Sequence, residues 1–213
     1  MDTIFITGIG TGVGKTVVSA IITEALGAAY WKPIQAGYDG GTDSEWVRSV
    51  LSNPAATIFP EAYKLKLAAS PHIAAGEEGV RIDLHVIKDQ LTEIEAAHNS
   101  QLIIEGAGGL LVPLNEKEFI ADLIHLLPVK LVLVSRNYLG SINHSLLTAE
   151  ACRQYKLDVL GWVFNDQYMS YEDEIVHWSG YPKIASIPVV EKADAAFIAA
   201  QAALMKEALK KVL

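Results

Sequence analysis

Gly8-Ile9-Gly10-Thr11-Gly12-Val13-Gly14-Lys15-Thr16 stands directly behind an apolar, β-branched run, Thr3-Ile4-Phe5-Ile6-Thr7, and ahead of a helix-period stretch over 14–26 that stops at Gly27. Strand, glycine-rich loop and helix in that order make a phosphate cradle. Glycines let successive backbone N–H groups turn inward around phosphate oxygens, and the helix start adds its positive dipole. Lys15 is placed to reach the β- and γ-phosphates, and the Thr16 hydroxyl to ligate magnesium. The strict pattern G-x-x-x-x-G-K-[ST] requires glycine at position 9, where this chain has Ile9 flanked by Gly8 and Gly10. An ordinary glycine-rich turn is the competing reading. The terminal Gly-Lys-Thr in a strand–loop–helix setting argues against it.

Outward from that loop, Tyr30-Trp31-Lys32-Pro33-Ile34 reads as a second strand. Thr42-Asp43-Ser44-Glu45 has capping-box spacing ahead of a helix over 44–51. Residues 53–79, with Pro60, Pro71 and scattered small residues, read as loop plus short helix. Leu84, Ile87, Leu91 and Ile94, at intervals of three, four and three, form one face of an amphipathic helix. Apolar strands follow at 101–105, 130–135, 159–165 and 184–187. Helices lie between and after them, around Leu123, Ile124 and Leu127, over 142–155 and from about 193 to 212. In the last helix Phe197, Ala200, Leu204 and Ala208 are expected to be the buried stripe, with the lysines as the solvated face. Continuous apolar strands separated by helices predict a mostly parallel sheet with helices on both faces, wound by right-handed crossovers. The fold class is therefore α/β, a P-loop NTPase-like fold with residues 1–213 as a single domain.

The chain is 51% apolar, enough for a sizeable core, and its 17 basic and 25 acidic side chains leave a formal net charge of −8. That balance argues against a nucleic-acid scaffold or a broad anionic-membrane surface, while leaving room for a local basic pocket. Cys152 is the single cysteine, so no internal disulfide forms and a reducing compartment is expected. The start, Met1-Asp2-Thr3-Ile4, lacks the basic n-region of a cleaved signal. The apolar runs fall far short of the roughly 20 residues that span a membrane. A cytoplasmic protein with no membrane or nucleic-acid partner is expected.

A phosphate loop needs acids to hold its metal. Glu105 closes an apolar strand directly before Gly106-Ala107-Gly108-Gly109, whose small residues allow close approach to a ligand. Asp43 starts the helix after the second strand, where capping and the helix dipole alone would also explain an aspartate. Lys32 is the unusual residue. Its ammonium projects near the carboxyl end of a strand, the edge at which open parallel sheets bind ligands. A snorkelling surface lysine is the plain alternative. A second cation beside Lys15 otherwise implies an anionic intermediate beyond the nucleotide itself.

At this point the sequence resembles the dethiobiotin synthetases, ATP-dependent ligases of biotin biosynthesis. The resemblance runs in order over nearly the whole chain. It rests on the extended loop ending Thr11-Gly12-Val13-Gly14-Lys15-Thr16, on Lys32-Pro33-Ile34-Gln35-Ala36-Gly37, Thr42-Asp43 and Ser70-Pro71-His72, and on Ile104-Glu105-Gly106-Ala107-Gly108-Gly109. Leu139-Gly140-Ser141-Ile142-Asn143-His144, Gly161-Trp162-Val163-Phe164-Asn165-Asp166 and Ile187-Pro188 complete it. The extra loop residue is what this family would show.

The resemblance implies that one amine of 7,8-diaminopelargonic acid takes up carbon dioxide as a carbamate, which ATP phosphorylates to a mixed carbamic–phosphoric anhydride. The neighbouring amine then closes the ureido ring and expels phosphate. It implies Lys32, Lys15 and Thr11 in catalysis, and Thr16, Asp43 and Glu105 as hard-oxygen ligands of magnesium. The nucleotide would be held by Gly12 to Val17 with Asp43, Glu105, Gly106, Ala107 and Gly108, its adenine by Asn165 and Asp166 with Pro188 and Val189 lining the base pocket. Substrate would meet Thr11, Lys32, Ala36, Leu139, Gly140, Ser141 and Asn143. The family's members are homodimers, so the segment 139–143 would serve substrate held by the other subunit. Two departures stand out: Gly12 where relatives are often acidic, and Ala36 where a hydroxyl often contacts substrate.

Other ATP- and GTP-using classes fit less well. A signalling GTPase needs Asn-Lys-x-Asp, and Asn165 is followed by Asp166-Gln167-Tyr168. A nucleotide kinase gathers arginines over the transferring phosphate, and this chain has only Arg48, Arg81, Arg136 and Arg153. The corrin-synthesis amidases add a glutaminase domain for which 213 residues leave no room. A partitioning-type ATPase switch carries a second lysine inside the phosphate loop, and none lies between Gly8 and Gly14.

Overall fold

The structure is a computed structural model, and it describes residues 3–166 and 168–213. Met1 and Asp2, the part of the start that bears on a leader, and Gln167 lie outside the described residues. The elements run β1 (Thr3–Gly8), α1 (Lys15–Leu26), β2 (Ala29–Trp31), β3 (Ile34–Ala36), α2 (Asp43–Val50), β4 (Ile58–Phe59), β5 (Tyr63–Leu65), α3 (Pro71–Glu77), α4 (Leu84–Ala97) and β6 (Leu102–Gly109). They continue with α5 (Ile120–Leu126), β7 (Lys130–Arg136), α6 (Ser141–Tyr155), β8 (Val159–Asn165), α7 (Glu172–Ser179), β9 (Lys183–Ile187) and α8 (Ala195–Val212).

Seven strands form one parallel sheet in the order β4-β2-β6-β1-β7-β8-β9. Alternation along each strand divides its side chains between two cores. Phe5, Trp31, Ile104, Leu133 and Trp162 face the helices α4, α5 and α6, while Ile4, Ile6, Tyr30, Ile103 and Val163 face α1, α2 and α8. Both faces are covered, which is why the strands read as unbroken apolar runs. Because all strands point the same way, the loops after β1, β2, β6, β7 and β8 gather at one edge of the sheet.

Three expectations need correction. Tyr30 to Ile34 is not one strand: β2 stops at Trp31 and β3 starts at Ile34. Pro33 has no N–H for a ladder, and its carbonyl instead accepts from the Tyr63 N–H at 2.9 Å, which starts a separate two-stranded sheet of β3 and β5. In α8 the buried stripe is Ile198, Ala202, Met205 and Leu209, and Leu204 is 75% exposed. The Asp194 side chain accepts from the Phe197 N–H and sets the start of the helix; the face turned to α1 then carries Ile198 and Met205, one residue on from Phe197 and Leu204. Finally, the helix α7 is absent from the sequence reading, although Glu172 to Glu174 in its first turn and Gly180 in the left-handed region behind it are start and stop signals. The loose stretch 53–79 does contain the expected short helix, α3, with Pro71 in its first turn, plus the short strands β4 and β5.

Candidate active site

The helix α1 begins at Gly14 with no side-chain cap and no acid in its first turn. Its leading N–H groups therefore have no protein oxygen at the N-terminus, and a phosphate is the group that suits them. Gly14 is held at φ 94°, and a Cβ there would lie 1.9 Å from the Asn165 Nδ2. Only glycine lets β8 close over the loop so tightly. Gly12, at φ 71° with open space around it, is suited to glycine by conformation and not by crowding.

Above the loop lies a cleft of about 700 Å³. Thr11, Gly12, Gly14, Lys15, Thr16, Val17, Lys32, Ala36, Asp43, Glu105, Gly106, Ala107 and Gly108 all line it. These residues come from the loop after β1 and the start of α1, the turn after β2, the end of β3, the start of α2 and the middle and second half of β6, which the fold brings together. Glu105 and Lys32 are not solvated groups, and Asp43, in the first turn of α2, does not cap it. Glu105 is 1% exposed and the Lys32 side chain 7%, so neither is a solvated strand-end group. For Asp43 the cap is supplied by Thr42, whose hydroxyl accepts from the Glu45 N–H while Glu45 accepts from the Thr42 N–H. That frees the Asp43 carboxylate to accept from Lys32.

Glu105 is the hub. Its Oε1 accepts from the Thr16 hydroxyl at 2.8 Å and from Lys32 Nζ at 2.9 Å, and its Oε2 accepts from the Tyr30 hydroxyl at 2.8 Å. Burial would lower the pKa of Lys32, but the carboxylates of Glu105 and Asp43 outweigh it and leave that pKa raised. Lys15 is different. Its Nζ donates to the Gly10 carbonyl at 2.7 Å, and burial pulls its pKa down to about 8 against the weaker opposing pull of Glu105. Tyr30 keeps its proton, since burial and then Glu105 push its pKa well above the ordinary phenol value.

Tyr30 and Gln35 are site residues that sequence reasoning missed. The Gln35 Oε1 accepts from the Asp43 N–H at 3.1 Å and its Nε2 donates to the Gly37 carbonyl at 2.8 Å, tying β3 to the start of α2. The period of two was the available signal for Tyr30, which stands two residues before Lys32.

The remaining expected residues lie around the cleft and do not line it. Val13 is buried beneath the loop, and its carbonyl accepts from Asn165 Nδ2 at 3.1 Å. Asn165 Oδ1 accepts from the Asp166 N–H, so its amide keeps one hydrogen and one lone pair for a ligand. The Asp166 carboxylate pairs with Arg136 at 2.5 Å. Pro188 and Val189 follow β9, with Val189 62% exposed. Leu139, Gly140 and Asn143 are exposed at the start of α6. Ser141 is buried, and its hydroxyl bonds Tyr171 at 2.8 Å within the chain. Cys152 is buried too, its thiol pushed up to about 12 by burial, which makes it inert. Among the described residues no helix is long and apolar enough to cross a membrane.

Comparison with known proteins bears on the family and the fold. Residues 2–196 match the model of a family described as an AAA domain. The chain is 46% identical over 193 residues to an ATP-dependent dethiobiotin synthetase of Cytophaga hutchinsonii, covering 90% of this chain and 91% of the relative. It is 50% identical over 172 residues to an ATP-dependent dethiobiotin synthetase of Christiangramia forsetii, covering 80% of each. Among solved structures, the cell division ATPase MinD of Pyrococcus furiosus superposes with a TM-score of 0.62 over 100% of both chains. At 15% identity that likeness concerns the fold alone.

Proposed function

This chain belongs to the family of ATP-dependent dethiobiotin synthetases, and we propose that its buried Lys32, held between Glu105 and Asp43, is the cation on which ring closure depends. The reaction is the ATP-dependent carboxylation of 7,8-diaminopelargonic acid with carbon dioxide and its closure to dethiobiotin, a step of biotin biosynthesis. The chain acts as a ligase, with residues 1–213 as one catalytic unit in the cytoplasm.

The chemistry runs through charge held on oxygen. A carbamate forms on one amine, takes the γ-phosphoryl group as a mixed anhydride, and loses phosphate as the second amine attacks its carbonyl carbon. Lys15 and the free N–H groups of α1 hold the phosphates, and Lys32, lining the same cleft, is the cation for the carbamate oxygens. Thr11, at the rim of the cleft, completes the cradle. Positioning supplies most of the rate. Asn165 uses its remaining donor and acceptor on the adenine edge beside Asp166, and Pro188 and Val189 flank the base. Ala36 leaves its part of the cleft without a hydroxyl, so substrate is held there by shape.

The donor set fits magnesium. Two carboxylates and one hydroxyl, from Asp43, Glu105 and Thr16, stand around one ammonium with no imidazole or thiolate among them. Two lysines balance the two carboxylates in the free chain, so an incoming triphosphate brings uncompensated charge. Magnesium held by Thr16, Asp43 and Glu105 would supply that compensation and polarise the phosphoryl group.

A homodimer completes the site. A groove beside the loop, lined by Gly10, Leu111, Val112, His144 and Leu147, shares Thr11 and Val112 with the cleft. Leu111, Leu139 and Leu147 are 59%, 84% and 61% exposed around it. A second copy seated there covers those leucines and carries its own Leu139, Gly140 and Asn143 toward the cleft, with the backbone of Ser141 at the start of α6 facing the substrate carboxylate. The reading is tested by phosphate release with 7,8-diaminopelargonic acid and bicarbonate, each omitted in turn. Release that needs both supports it; release with neither present points to a simple ATPase.

A further inference from the structure

Glu105 is placed by a residue that does not touch the cleft. In the register of β2 against β6, Tyr30 lies opposite Ile103, so Tyr30 and Glu105 point to the same face two positions apart. That diagonal is within reach of an aromatic ring, and the fully buried Tyr30 donates its hydroxyl proton to Glu105 Oε2 at 2.8 Å. The other oxygen, Oε1, is the one turned toward Thr16 and Lys32. Without the phenol Oε2 would lose its partner, and only the bonds of Oε1 to Thr16 and Lys32 would be left to decide which oxygen the carboxylate offers.

We propose that Tyr30 is a positioning residue for magnesium: by occupying Oε2 it makes Glu105 a one-oxygen partner, aimed at the metal of the bound nucleotide. This rests on the reading of Glu105 as a magnesium ligand. Losing an outer partner of a metal ligand typically weakens metal affinity by roughly 10- to 100-fold. Tyr30→Phe removes one oxygen from the core and keeps the ring, so the surroundings keep their packing. Tyr30→Met, a flexible apolar filler, is the second variant and carries the same expectation.

The experiment is calorimetric titration of the full chain with ADP, once in EDTA and once in magnesium, the ratio of the two dissociation constants being the gain that magnesium confers. Tyr30→Phe is expected to shrink that ratio about tenfold while the value in EDTA stays at the parent level. Glu105→Gln is measured alongside. If Glu105→Gln abolishes the ratio and both Tyr30 variants retain it, Tyr30 does not position the ligand. If the Tyr30 variants weaken binding equally in EDTA and in magnesium, the hydroxyl serves the fold only, and the proposal is overturned. If Glu105→Gln itself keeps the full ratio, the error lies in the metal assignment, and the inference about Tyr30 falls with it.

Discussion

Lys32 Nζ donates to Glu105 Oε1 across 2.9 Å, with both side chains almost entirely out of water. Such a pair adds little to stability, because removing two charges from water costs about what their attraction returns. Its value here is geometric. Lys32 sits on the turn that ends β2, Glu105 stands in the middle of β6, and Asp43 opens α2, so the ammonium fastens three segments of the chain together at the cleft. The site is assembled before substrate arrives, and little has to reorganise during the reaction.

Removing one member of the pair leaves the other charge buried. Lys32→Met is therefore expected to destabilise the chain by about 3–5 kcal/mol, and Lys32→Met with Glu105→Gln by clearly less than the sum of the two single changes. Urea unfolding of the four proteins measures the coupling. Additive effects would mean that the two side chains are not paired in solution.

Lys15 carries a pH signature. Its pKa in the free chain lies near 8, lowered chiefly by burial, against 10.5 for an ordinary lysine. The unfolded chain thus binds more protons than the folded one between those values, and the sign of the linkage makes stability rise with pH from about 8 toward 10.5. Nucleotide phosphates restore the charged form. At pH 8.5, binding of ATP is expected to take up roughly three quarters of a proton at this residue, read from calorimetry in buffers of different ionisation enthalpy. Lys15→Arg, always charged, should abolish that uptake. Equal uptake by both proteins would assign the proton elsewhere.

The exposed leucines at the groove bear on assembly. If Leu139 to Asn143 complete the neighbour's site, Asn143→Ala weakens 7,8-diaminopelargonic acid by about tenfold, in line with roughly 1–2 kcal/mol for a lost hydrogen bond, and leaves ATP affinity alone. Mixed dimers of Asn143→Ala with an inactive Lys15→Ala partner then regain one working site. Verified mixed dimers without activity would show that each site is made within one chain.

Much of this architecture can be read from the residues, and the reasons are physical. Strands buried on both faces must be continuously apolar, and the glycine-rich loop must lie between strand and helix, so β1, α1, β6, β7 and β8 are legible. Lys15, Thr16, Asp43 and Glu105 stand out by residue type and position, and the cleft gathers all four. What sequence spacing does not contain is register. The bond from Tyr30 to Glu105 spans 75 positions and the bond from Asn165 to Val13 spans 152, and each exists only because the sheet order makes neighbours of distant strands. Strands as short as β3, β4 and β5 carry too few residues for a period to show. In α8 two stripes have the same helical spacing, and only packing against α1 separates the one holding Ile198 and Met205 from the one holding Leu204.

The most direct test of the account is Lys32→Gln under single-turnover conditions, with dethiobiotin formation and ATP affinity measured on the same preparation. Glutamine can still donate to Glu105 and Asp43, so the fold and the phosphate cradle are retained while the positive charge is lost. An ammonium that acts on the carbamate and the transferring phosphoryl group works in the transition state and not in nucleotide binding. Ring closure is predicted to fall about 100- to 1000-fold, with ATP affinity within a few-fold of the parent. Dethiobiotin formed at close to the parent rate with saturating substrates would contradict it, and Lys32 would then be a structural tie between three segments of the chain and no part of the chemistry.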